Sequence, residues 1–125
     1  MQVLALTSSA GRVAGLRAQG ARPLVGNLDD AGTLRRLSGL ATRVLHLAPP
    51  PGEGAGGDAW WRDPRTVALA RALRLRSLPA SLVYASTSGV YGDCQGALVP
   101  ETRTVAPGTP RAQRRVNAER AVRHL

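Results

Sequence analysis

Four short apolar runs, each followed by a longer and more polar segment, constrain this chain more than any other feature of it. Residues 3–6 (VLAL), 22–26 (RPLVG), 43–48 (RVLHLA) and 81–85 (SLVYA) are too short for helices and end in small or polar residues, so each is predicted as a strand. Residues 11–19, 31–40, 66–77 and 111–125 carry the spacing of helices. Thr7, Ser8 and Ser9 suit the start of the first helix and Gly20 ends it. Asp30 is placed to cap the second, in which Leu34, Leu37 and Leu40 recur every third residue, and Pro79 stops the third. A strand–helix unit repeated in this way demands right-handed crossovers. The predicted fold class is therefore α/β, with a parallel sheet covered on both faces.

At 125 residues the chain makes one domain, 1–125. Its 43% hydrophobic content excludes wholesale disorder, but with no Phe the core must be built from Leu, Val and Ala. Seventeen basic residues against eight acidic ones give a net charge of +9, which attracts polyanions. Every one of the seventeen is Arg, and Lys and Ile are absent, so drift toward GC-rich codons accounts for the charge better than selection for nucleic-acid binding. The missing Lys excludes Schiff-base or ammonium chemistry from these residues. One cysteine, Cys94, makes no internal disulfide, and His46 and His124 alone offer no metal-ligand spacing. The opening residues are too short an apolar run for a signal peptide or a membrane span, which makes the cytoplasm the expected location.

In parallel α/β sheets, ligands gather beyond the carboxyl ends of the strands. Here those ends are Thr7-Ser8-Ser9, Asn27-Leu28-Asp29, His46 to Pro49, and Ser86-Thr87-Ser88-Gly89, small or polar residues that allow close approach. The pattern points to a nucleotide site. The Pro- and Gly-rich stretch 49–57 is expected to be an exposed loop, and Trp60 and Trp61 to anchor it against the next helix rather than stack on a base. His46, inside a strand, is expected to be a hydrogen-bonded structural residue.

The segment YASTSGVYGD at 84–93 resembles the SSxxVYG signature of the extended, epimerase/dehydratase-type short-chain dehydrogenases/reductases. GNLDD at 26–30 is similar to that family's GDLxD turn, and VLHLA at 44–48 to its VxHLAA strand, in the same order and spacing. The resemblance covers nearly the whole chain and implies a Rossmann-like, doubly wound parallel sheet, an NAD(P) cofactor and a small hydroxylated or nucleotide-sugar-like substrate. Aligned on Val90-Tyr91-Gly92, Thr87 falls at the hydroxyl that orients the substrate's reacting oxygen. By the same resemblance Asn27 and Leu28 contact adenine, Leu47 and Ala48 line the cofactor groove, Thr7 and Ser8 face the adenosine ribose, and Ser86 stands beside Thr87 at the cofactor's other end. Thr7 and Ser8 replace the acid that favours NAD, and Arg12 is placed to meet a 2′-phosphate, which tilts the expectation toward NADP.

Two departures matter. The family's catalytic Tyr and Lys stand four apart on a helix; registering that helix on Glu119 puts Arg111 at the Tyr position and Arg115 at the Lys position. Arg115 can supply charge and ribose hydrogen bonds, but a guanidinium is a poor general acid or base. The family also opens with a strand and a GxxGxxG turn that cradles the pyrophosphate, whereas only Gly11 and Gly15 stand near the start here. The resemblance implies an N-terminally truncated domain whose absent strand would lie between the first and third strands, leaving two apolar edges. The competing expectations are a non-catalytic cofactor-binding or basic nucleic-acid-associated scaffold, or an inactive fragment. Nucleic acid is the less favoured partner, and a steep salt dependence of binding would single it out.

Overall fold

A computed structural model describes residues 1–52 and 59–125. The expected loop at 49–57 falls outside the described residues from Glu53 onward. Four strands form where the apolar runs predict them: β1 (Leu4–Thr7), β2 (Arg22–Val25), β3 (Arg43–His46) and β4 (Ser81–Tyr84). They pair in parallel as two separate ribbons, β1 with β2 from Leu4 opposite Arg22 to Thr7 opposite Val25, and β3 with β4 from Arg43 opposite Ser81 to His46 opposite Tyr84. Among the described residues no strand joins the two ribbons.

The helices carry the packing. α1 (Val13–Ala18) follows a 3-10 turn at Ala10–Arg12 and packs against β2. The segment predicted as a second α-helix is instead a 3-10 helix, Ala31–Leu37. The leucine spacing explains the difference, because side chains three apart line up along a 3-10 helix, and Leu34 becomes fully buried while Leu40, beyond its end, is exposed. Asp30 caps it as expected, accepting from the Gly32 amide at 3.2 Å. α2 (Pro64–Leu73) starts two residues before the predicted position, with Asp63 as its cap and proline in its first turn. α3 (Pro110–Arg123) repeats that device with Thr109, whose hydroxyl accepts from the Ala112 amide at 3.1 Å.

The buried apolar side chains are Leu34, Leu69, Ala70, Ala72, Leu73, Val90, Ala112, Val116 and Ala118, all on helices or the turn at Ser88–Tyr91. The core therefore lies where α2 meets the 3-10 helix and α3, not inside a sheet. Along β3 and β4 burial alternates. His46 is buried, Val44, Leu82 and Tyr84 are half-buried, and Leu45 and Val83 on the other face are 69% and 55% exposed. The expectation of a sheet covered on both faces is thus corrected for this ribbon, which is covered on one. Trp60 and Trp61 are each nearly half exposed, and most of the loop they are expected to anchor lies outside the described residues; the Trp60 carbonyl accepts from Arg114 Nε of α3 at 2.6 Å.

Candidate functional site

Parallel pairing puts the carboxyl ends of both strands of a ribbon on one edge, and the polar segments foreseen from the sequence emerge there. At the end of β1 the Thr7 hydroxyl closes a tight local turn, accepting from the Ser9 amide at 3.1 Å, with Ser8 and Arg12 exposed beyond it. At the end of β2 the Asn27 side chain accepts from the Asp29 amide at 2.9 Å, and its own amide donates to Thr33 Oγ1 at 2.8 Å. These two bonds hold Asn27 and half-buried Leu28 in a defined loop. After β3, Leu47 is 67% exposed and Ala48 half-buried.

What draws the two ribbons' edges together is Arg65, in the first turn of α2, which sequence reasoning did not single out. Its Nε and Nη2 grip Asp29 Oδ1 and Oδ2 at 2.8 and 3.1 Å, and its Nη1 donates to the Pro49 carbonyl at 3.1 Å. One guanidinium thereby ties the loop after β2 to the segment after β3. The pairing holds the Asp29 carboxyl below the usual carboxylate range and raises the Arg65 pKa, in both cases chiefly through the hydrogen bond between them. The only sequence signal for this clasp is an Asp-Pro-Arg run at a helix start, which fixes where α2 begins but not what Arg65 reaches.

Under the clasp runs a buried polar chain. Thr66 Oγ1 donates to Asp63 Oδ2 at 2.7 Å, and His46 Nε2 lies 2.8 Å from the same hydroxyl. Asp63, fully buried, also accepts from the amides of Arg65 and Thr66, and its own amide donates to Asn117 of α3. His46 is the structural residue expected. Burial lowers its pKa more than Asp63 raises it, and Arg115 lowers it further.

At the end of β4 the predicted residues meet α3. Ser86 Oγ donates to Glu119 Oε1 at 2.6 Å, and Thr87 caps the 3-10 turn Ser88–Tyr91, accepting from the Gly89 amide at 3.4 Å, while its hydroxyl proton meets no acceptor among the described residues. Arg115 Nη1 donates to the Tyr84 hydroxyl at 3.1 Å and to the Ala85 carbonyl at 2.7 Å. Tyr84 has its pKa raised by burial, against the opposing effect of Arg115. Thr87, Thr109, Arg111, Ala112 and Arg115 together line an open cleft of about 230 Å³. A larger cleft of about 340 Å³ lies between the 3-10 helix and α2 and includes none of the strand-end residues. The structure thus gathers Thr87, Arg111 and Arg115 at one place and joins the Asn27–Asp29 loop to the end of β3. Thr7 lies beside the Asn27–Asp29 loop, its carbonyl accepting from the Gly26 amide at 2.9 Å, whereas Ser8 and Arg12 make no hydrogen bond to either group among the described residues. Among the described residues no cluster of His, Cys, Asp or Glu is suited to a metal, and no helix is long and apolar enough to cross a membrane.

Solved structures share this fold over almost the whole chain. The triphenylmethane reductase of Citrobacter sp., complexed with NADP(H), matches with a TM-score of 0.69 at 14% identity, over 98% of this chain and 36% of its own. A short-chain dehydrogenase/reductase superfamily protein from Agrobacterium tumefaciens with bound NAD matches at 0.65 and 25% identity, over 99% and 44%. MoeE5 in complex with UDP-glucose and NAD matches at 0.66 and 23% identity, over 98% and 48%. The chain spans less than half the length of each of these three proteins. No protein-family model matches the chain, and no curated protein matches it.

Proposed function

We propose that this chain, whose fold is the Rossmann-like fold of NAD(P)-binding short-chain dehydrogenase/reductase and epimerase-type proteins, forms the dinucleotide-holding part of a protein that acts on a small hydroxylated or nucleotide-sugar-like substrate. The observation that carries the reading is the arrangement of the carboxyl-end loops: Arg65 clasps the Asn27–Asp29 loop to the end of β3, while Thr87 and Arg115 meet at the end of β4. The donor set fits the two ends of a dinucleotide. Asn27 and Leu28 suit the adenine edge, Leu47 and Ala48 offer an apolar wall, and Ser86 and Arg115 lie on the nicotinamide side. Thr7 and Ser8 suit the adenosine ribose, and exposed Arg12 suits a 2′-phosphate, which favours NADP. The described residues hold no glycine turn at a strand end for the pyrophosphate, so its grip is not assigned to them.

When bound, the dinucleotide supplies the redox capacity. The chain's own residues orient and polarise. The Thr87 hydroxyl donates to the substrate's reacting oxygen, and the Arg115 guanidinium fixes the Ala85 carbonyl and the Tyr84 hydroxyl behind it. A cytoplasmic location belongs with this reading.

The test is titration with NADPH and NADH, followed by nicotinamide fluorescence, in the protein and in Arg12→Gln and Thr87→Ala variants. Binding should saturate and prefer NADPH, with Arg12→Gln removing the preference. With UDP-glucose as the probe substrate, Thr87→Ala should lower turnover about 100-fold while leaving dinucleotide affinity within about twofold. Absence of saturable dinucleotide binding would sink the reading, and unchanged turnover in Thr87→Ala would sink the role of that hydroxyl.

A further inference from the structure

Two arginines stand one turn apart on α3, where a proton-exchanging pair would be of more use to redox chemistry. Arg111 and Arg115 are four residues apart, so their side chains share a helix face, and both line the cleft with Thr87 and Thr109. Their hydrogen bonding is uneven. Both hydrogens of Arg115 Nη1 are engaged, one by the Tyr84 hydroxyl and the other by the Ala85 carbonyl. The opposite edge of the guanidinium, Nε with Nη2, has no acceptor among the described residues, and Nε is shut off from solvent. Nε is therefore out of reach of a ligand in the cleft, and Arg115 offers the cleft its fixed charge and the unengaged N–H groups of Nη2.

The surroundings have the same sign. Arg111 is exposed and has no carboxylate partner among the described residues, where Arg65–Asp29 is the only ion pair. Thr109 and Pro110 open a helix of fourteen residues here, and its amino-terminal end adds positive potential. Glu119, the one carboxylate on α3, is bonded to Ser86 and does not line the cleft. The Thr87 hydroxyl, whose proton meets no acceptor among the described residues, completes the donors.

We propose that this cleft binds an oxyanion, a carboxylate or phosphate group carried by the small-molecule substrate. Arg115 supplies charge and Nη2 donors, Arg111 a second cation, and Thr87 a hydroxyl donor. The substrate class is thereby narrowed to compounds with an acidic group close to the reacting carbon. The assignment of that group to a substrate rests on the dinucleotide reading above; the capture of an oxyanion by the cleft does not.

The test uses inorganic phosphate and malonate as probes, titrated at constant ionic strength against the whole chain and followed by amide chemical shifts of residues 86–89 and 109–115, with NADPH titrated separately on the same sample. Saturable shifts at these residues are expected for one or both probes, and their relative affinity tells phosphate from carboxylate. Arg111→Gln should weaken binding about tenfold, and Arg111→Lys, which keeps the charge, by less. Arg36→Gln, at an exposed position on the 3-10 helix that does not line the cleft, should leave it unchanged. Shifts that do not saturate, or affinity lost equally in Arg36→Gln and Arg111→Gln, would overturn the proposal by showing only general attraction to a cationic chain. Oxyanion binding without NADPH binding would retain the cleft and refute the dinucleotide reading, whereas NADPH binding without oxyanion binding would do the reverse. Competition between phosphate and NADPH would also overturn the proposal, because it would place a phosphate of the dinucleotide in the cleft.

Discussion

The sharpest test of the architecture is removal of the buried Asp63 carboxylate. In Asp63→Ala, α2 loses its amino-terminal cap, an effect of about 1 kcal/mol, and the buried Thr66 hydroxyl loses the acceptor of its proton, at about 1–3 kcal/mol. Together the loss should be about 2–4 kcal/mol, which lowers Tm by roughly 6–15 °C for a chain of this size. Urea denaturation followed by circular dichroism measures it. Asp63→Asn separates the two effects. Its amide oxygen can keep both backbone N–H bonds, and its NH2 then faces Thr66 where Oδ2 stood. The Thr66 hydroxyl must turn round, accepting from the amide and donating to His46 Nε2. In the native protein Thr66 donates to Asp63, so His46 must donate from Nε2; in Asp63→Asn it must carry its proton on Nδ1. Histidine nitrogen chemical shifts distinguish these tautomers directly. Loss of less than about 1 kcal/mol in Asp63→Ala, or an Nδ1–H tautomer in the native protein, would refute the chain of bonds from His46 to Asp63.

Gly92 has φ +70° and ψ −161°, a conformation open to glycine alone, and a Cβ there would press into the Ala106 carbonyl oxygen; Gly92→Ala should therefore destabilise by about 3 kcal/mol or more, and a change under about 1 kcal/mol by urea denaturation would show that the Ser88–Tyr91 turn relaxes freely. His46 has its pKa lowered from 6.5, chiefly by burial, so on acidification the unfolded chain binds its proton first. Its contribution to stability is complete above pH 6.5 and is lost as pH falls through that value toward the lower folded one. Thermal melts between about pH 7.5 and 5 should fall less steeply in His46→Gln than in the native protein, and equal slopes would contradict the assignment.

Much of the scaffold was legible because its signals are local. Each strand begins within one residue of its apolar run, since a run of four or five residues between turn-forming residues has few other uses. The three-residue leucine spacing predicts an amphipathic helix but not its type, and a 3-10 helix forms because a strict period of three lines up along that helix and drifts round an α-helix. The start of α2 is set by Asp63-Pro64, the cap and first-turn pair, two residues ahead of the apolar spacing that begins at Thr66. The Arg65 clasp and the bond from Asp63 to Asn117 were not legible. They join residues 36 and 54 positions apart, and nothing near either partner in the sequence distinguishes them from solvated side chains. The core location was hidden for a related reason. The most apolar segments are the strands, yet with the ribbons unjoined their outward residues stay exposed, and burial falls to the alanines and leucines of α2 and α3.

The substitution at the β4 end bears most directly on chemistry. In the family that the motifs resemble, a Lys lowers the pKa of a Tyr one turn away so that the Tyr can move a proton. Two guanidinium groups in those places hold charge without exchanging protons. The nearest hydroxyl with a titratable proton is that of Tyr84, and Arg115 already bonds it, yet burial raises its pKa more than Arg115 lowers it. Tyr84 also does not line the cleft. Proton movement at this site is therefore left to the Thr87 hydroxyl, to water, or to the substrate's own acidic group. Of these, only a substrate acid held by Arg111 and Arg115 would bring an ionisation of its own, so a limb in the pH profile of turnover should follow the pKa of the substrate used and shift when the substrate is changed. A limb that stayed fixed across substrates of different acidity would point back to a group on the protein, and Tyr84→Phe would then show whether that group is Tyr84.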